Sequence, residues 1–109
     1  MKSETTVTRS SGNIFADLGF ANSEEELFKA RIVVSLRRMI EERKLTQREA
    51  AERMGISQPD VSKLLRGRLG GFSLERLFEF VRALGNDVEI RIKKTRSRQK
   101  GKVRLLEVA

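Results

Sequence analysis

Cysteine and histidine are both absent from the 109 residues. Their absence excludes disulfides, thiol nucleophiles, zinc sites of the usual kind and histidine acid–base chemistry. A chain without disulfides suits a reducing cytoplasm, which is the expected location. No apolar run approaches the ~20 residues that a membrane span needs. The opening MKSETTVTRSSGN has no apolar stretch of the kind a signal peptide carries. Phosphate-loop patterns and paired carboxylates in a catalytic setting are also missing. The nearest approach to a glycine cradle, GRLGG, follows a helical stretch instead of preceding one, the wrong order for nucleotide binding. An enzyme is therefore not expected, and no catalytic residue, metal ligand or cofactor is assigned.

What the chain has is positive charge, unevenly placed. Its formal net charge is +8. Residues 1–90 hold 15 Lys/Arg against 14 Asp/Glu, whereas residues 91–109 hold eight against one. A basic segment favours polyanions, nucleic acid above all, although a charged run is also an ordinary way to keep a surface solvated. Residues 91–109 contain no aromatic side chain on which a single-stranded base could stack, which argues against single-stranded RNA.

The most informative stretch is TQREAAERMGISQPDVSKLLRGR, residues 46–68. Ala50, Ala51 and Met54 form one apolar helical face over 47–54. Thr46 is placed as an N-cap with Glu49 three residues on, a capping box. Gly55 stands where that helix must stop and where a left-handed backbone is needed. Ile56 plugs the turn. Ser57 caps a second helix with Pro59 in its first turn, and Val61, Leu64 and Leu65 face the first helix. Two steeply crossing helices need a small residue where they touch, and Ala51 supplies it. The outer face of the second helix carries Gln58, Asp60, Ser62, Lys63 and Arg66. Glutamine can bond adenine in two places and lysine can donate to guanine, both in the major groove. An ordinary helical hairpin would share the caps. The small residue, turn glycine, following hydrophobe and later valine together favour a helix-turn-helix.

Around this motif the chain divides into a polar segment 1–13, expected to be disordered, a domain over 14–86, and a basic extension over 87–109. Ile14, Phe15, Leu18 and Phe20 make a short apolar arm expected to dock on the body. Asn22 or Ser23 caps a long helix reaching about Lys44, with Glu24, Glu25 and Glu26 in its first turn complementing the helix dipole. Its broad apolar face, from Phe28 through Ile32, Val33, Leu36, Met39 and Ile40, is expected to pack across both motif helices. Beyond the motif, Arg66, Arg68 and the glycines at 67, 70 and 71 can bring backbone N–H groups close to a phosphate. Ser73 caps a further helix whose stripe is Leu74, Leu77, Phe78, Val81 and Leu84. Phe80 lies off that stripe, as a dimer contact or under the arm. Gly85 ends the helix. Residues 88–94 alternate apolar and polar, predicting a strand that must pair with Val103–Val108, with a dimer copy or with a partner's sheet edge.

The stretch TQREAAERMGISQPDVSKLLRGRLGGFSLERLFEFVRALG resembles the XRE (lambda-repressor-like) helix-turn-helix family. More narrowly, NIFADLGF, the long helix, SQPDVSKLLRGR, FSLERL and ALGNDVEIRI make residues 13–94 similar to HigA-type antitoxins, the DNA-binding partners of RelE/HigB-like toxins. The resemblance implies an all-α lambda-repressor-like domain of about five helices with a short C-terminal β-strand or hairpin. It implies a sequence-specific repressor, the antitoxin of such a pair, autoregulating its operon. A stand-alone regulator, or a toxin neutraliser with only non-specific DNA affinity, is the alternative. The implied base-contacting residues are Gln58, Ser62 and Lys63. The implied phosphate contacts are Gln47, which also braces Gln58, Ser57, Arg66 and Arg68. Pro59 and Asp60 depart from the glutamine- or serine-rich pattern of phage repressors, so neither is given a base. The expected partners are operator DNA with an inverted repeat, a second copy of the chain and a toxin, with no membrane.

Overall fold

The longest element is helix α1, Asn22–Glu42. Ile32, Val33, Leu36, Met39 and Ile40 are buried along that face, as their spacing predicts. The helix stops two residues short of Lys44. There the backbone turns left-handed, with Lys44 at φ 55°. Leu45 N–H reaches back to the Ile40 carbonyl at 3.0 Å and Lys44 N–H to that of Glu41 at 3.0 Å. This is a Schellman stop built on lysine instead of glycine. Among the first residues of α1, Glu25 pairs with buried Lys29 one turn on, at 3.4 Å.

A computed structural model describes residues 22–96, 98 and 100–107 of the chain. The polar segment 1–13 and the arm around Ile14–Phe20 lie outside these residues, as do the side chains of Asn22 and Ser23. Three short helices follow α1: α2 over Gln47–Met54, α3 over Gln58–Leu65 and α4 over Leu74–Ala83. Four helices and no strand are therefore present among the described residues, where about five helices and a C-terminal strand were expected. None of these helices is long and apolar enough to cross a membrane.

One core joins the four helices. α2 packs on α3, and α1 packs chiefly on α4 and α3, so α1 braces the second motif helix and the closing helix more than both motif helices. Leu36, Val61, Leu64, Leu77 and Leu84 are fully enclosed at the centre. Phe80 corrects the expected stripe on α4. It is buried in the core, while Phe78 is only half-buried. The reason is Phe72, folded in from the preceding loop, whose ring meets Phe80 edge to face at 5.9 Å. Periodicity within one helix carries no information about a ring that arrives from a loop.

The strand expected over 88–94 is not formed within the chain among the described residues. The chain leaves α4 through Gly85, at φ 92°, and the described residues of 86–107 run without regular structure. Val88, Val103 and Leu105 pack at the margin of the core. Glu107 is tied to α1 by Ser35 Oγ and by Arg38 Nη2, each donating to Oε1 at 2.7 Å. Residues 103–107 are thus committed to α1, and among the described residues 88–94 has no ladder partner. Ile90 and Ile92 are left 70% and 92% exposed.

Candidate nucleic-acid interface

The geometry of α2 and α3 follows from four local features. Thr46 Oγ1 accepts from Glu49 N–H at 3.1 Å while Glu49 Oε1 accepts from Thr46 N–H at 2.9 Å, so the capping box closes in both directions. Gly55 takes φ 73°, and the N–H groups of Gly55 and Ile56 both reach the Ala51 carbonyl, at 2.8 and 3.1 Å. Ser57 Oγ accepts from Asp60 N–H at 3.2 Å and starts α3, with Pro59 in the first turn. Ala51, buried where the helices meet, lets them approach closely.

α3 has two chemically distinct sides. Val61 and Leu64 seal one into the core. Helical spacing puts Gln58, Pro59, Ser62, Lys63 and Arg66 together on the opposite side. Gln58, Lys63 and Arg66 are exposed and Ser62 is half-buried. Three base-reading candidates therefore share a face, and Pro59, which has nothing to donate, sits among them. Arg66 Nε donates to the Ser62 carbonyl at 3.3 Å, which lays the guanidinium along the helix end with its other donors outward.

The expected phosphate contacts surround this face at two ends. Gln47 opens α2 and Ser57 opens α3, both exposed. The hydroxyl of Ser57 keeps its own hydrogen for an outside acceptor, because the cap uses only its oxygen. Arg68 projects from the turn in which Gly67 takes φ 85° and Arg68 N–H reaches the Lys63 carbonyl at 3.0 Å. Gln47 and Gln58 are both exposed, each in the first turn of its helix.

Two arginines that were not singled out for this role hold the site. Arg37, from α1, donates through Nη2 to the Leu65 carbonyl, satisfying an orphan acceptor at the C-terminal end of α3. Arg76, from α4, lies 5.4 Å from the ring centres of both Phe72 and Phe80. It clamps the loop that follows α3. The available signal for Arg37 was its place on the flank of the apolar face of α1, next to Val33 and Leu36, but its partner is 28 residues away.

Comparisons with known proteins agree with this geometry. A family model described as a helix-turn-helix domain matches residues 14–93. A solved structure described as an XRE-family transcriptional regulator is 42% identical, superposes with a TM-score of 0.71, and is matched over 82% of this chain and 99% of its own. No curated protein matches the chain. With a family model spanning most of its length and a solved relative this similar, the chain belongs to the XRE-family helix-turn-helix transcriptional regulators.

Proposed function

We propose that the chain is a sequence-specific repressor that reads operator DNA in the major groove through α3. The observation carrying this reading is the outward face shared by Gln58, Ser62, Lys63 and Arg66 on a helix locked into the core by Val61 and Leu64. On this reading Gln58, Ser62 and Lys63 meet base edges, while Gln47, Ser57, Arg66 and Arg68 hold phosphates at the two ends of the face. A single module of this size buries roughly 600–1,000 Å² against DNA, a modest area. Two copies on an inverted repeat, with half-sites about 34 Å apart, provide the rest.

A second duty, neutralising a RelE/HigB-like toxin whose operon the protein represses, is supported by residues 88–94. Their alternation lies in a segment with no ladder partner among the described residues and with Ile90 and Ile92 exposed. Such a segment gains its hydrogen bonds by adding to a second copy or to a toxin's sheet edge. The DNA reading is tested by fluorescence anisotropy on DNA from just upstream of the gene, with scrambled DNA as control. Own-site preference lost in Gln58→Ala/Lys63→Ala supports it, and preference retained removes it. Stable co-purification of a small basic neighbour supports the antitoxin duty. Its absence leaves a stand-alone regulator.

A further inference from the structure

The eight Lys and Arg side chains from Arg91 to Arg104 carry nearly all of the net charge of the protein. All eight are exposed, and among the described residues none is in an ion pair. Glu89 is the only acid among residues 89–104. The segment is not a free tail. It is anchored at one end by half-buried Val88, beside the exit of α4. At the other end it is anchored by Val103, Leu105 and the bonds from Ser35 and Arg38 to Glu107. The described residues of 89–102 therefore belong to an arm held at both ends. At about 3.4 Å per residue its tip can stand roughly 20 Å from its base.

The base of the arm is placed by α1. Arg38 holds Glu107, and Arg37, the residue before it, holds the end of α3 at Leu65. Adjacent residues of a helix point about 100° apart, so the arm returns to the flank of α1 next to the one that holds the end of α3, and Val34 borders both flanks. Duplex DNA carries a phosphate charge about every 1.7 Å of its axis. A cationic arm of this reach, rooted there, follows the backbone beyond the base pairs that α3 covers. The arm has no aromatic side chain for stacking on unpaired bases, so double-stranded phosphate is the matching polyanion.

We propose that residues 89–104 are a second DNA-binding element, a tethered arm that grips the phosphate backbone flanking the major-groove site. This rests on the reading of α3 as the DNA-facing helix. The arm supplies affinity without sequence preference, whereas α3 supplies preference.

The test compares wild type, the arm variant Lys94→Gln/Arg96→Gln/Arg98→Gln/Lys100→Gln and the α3 variant Gln58→Ala/Lys63→Ala. Each is titrated across a salt series against the upstream duplex, a scrambled duplex of equal length and an upstream duplex trimmed to the base pairs that α3 covers. Circular dichroism melts confirm that each variant is folded. The arm variant should bind both long duplexes at least about tenfold more weakly at 0.1 M salt. Its log–log salt slope should flatten by about 0.9 for each phosphate that the arm no longer neutralises, with its own-site preference intact. On the trimmed duplex it should equal wild type. An unchanged slope and affinity in the arm variant overturns the proposal, even where the α3 variant still loses preference. Loss of binding to vesicles of anionic lipid, with DNA affinity unchanged, also overturns it by assigning the arm to a membrane surface. An α3 variant that keeps its preference overturns the α3 reading instead.

Discussion

Arg38 on α1 and Glu107 near the end of the chain meet at 2.7 Å across 69 residues of sequence. The same carboxylate oxygen accepts from Ser35. This pairing turns a basic C-terminal extension into a loop closed on the DNA-binding domain.

An exposed pair of this kind contributes at most about 1 kcal/mol to global stability. A double-mutant cycle on Arg38→Ala and Glu107→Gln should therefore return a coupling below about 1 kcal/mol. The local effect should be larger. Tryptic cleavage at Lys102 and Arg104 should quicken in both single variants, because release of the tail lets the protease reach the backbone. Equal cleavage rates in wild type and variants would show that the latch is not what holds the segment.

Lys44 occupies a left-handed position that glycine fills at the equivalent points after α2 and α4. Substitution Lys44→Gly should stabilise the protein by about 0.5–1 kcal/mol in denaturant titration, because a Cβ in that conformation costs about 1–2 kcal/mol. The converse change, Gly55→Ala, should cost about 1–2 kcal/mol. A methyl there meets no atom within 4 Å, so the whole loss is backbone strain.

Leu64 joins α3 to the core and is wholly buried. Truncation to alanine should cost about 2–5 kcal/mol and should weaken DNA binding in proportion to the fraction unfolded. Affinity corrected for that fraction should match wild type. A residual deficit would show that α3 also shifts in the folded state.

Arg37→Ala removes the side chain that satisfies the Leu65 carbonyl at the end of α3. The expected stability loss is about 1 kcal/mol, the usual worth of one such hydrogen bond. Binding to upstream and scrambled DNA should fall together, since the change loosens the end that carries Arg66 and Arg68 without touching Gln58. Selective loss on the upstream duplex would instead assign Arg37 a part in base readout.

Gln58→Ala and Arg68→Ala should separate preference from grip. The first should cost about 1–3 kcal/mol of discrimination between operator and single-base variants. The second should lower affinity alike for all sequences and reduce the salt slope by about one. Anisotropy against a panel of single-substitution operators measures both.

The capping box of Thr46 and Glu49, the left-handed Gly55, the Ser57 cap with Pro59 behind it and the stop at Gly85 were all legible in the chain. Each joins residues no more than about one helical turn apart, so local stereochemistry determines it without reference to the rest of the molecule. Helical period likewise identified the buried sides of α1 and α3, and with them the outward face of Gln58, Ser62 and Lys63.

Long-range pairings were decided by tertiary structure. Phe80 is buried because Phe72 arrives from a loop, and Arg37 acts on α3 because α1 passes the carbonyl of Leu65. The alternating segment 88–94 has the pattern of a strand, yet a strand requires another backbone at ladder distance. The intrachain partner expected for it was Val103–Val108, and of that stretch Leu105 and Glu107 are held on α1. Pattern sets what a segment can form. Which neighbour reaches it first is a matter of packing in three dimensions.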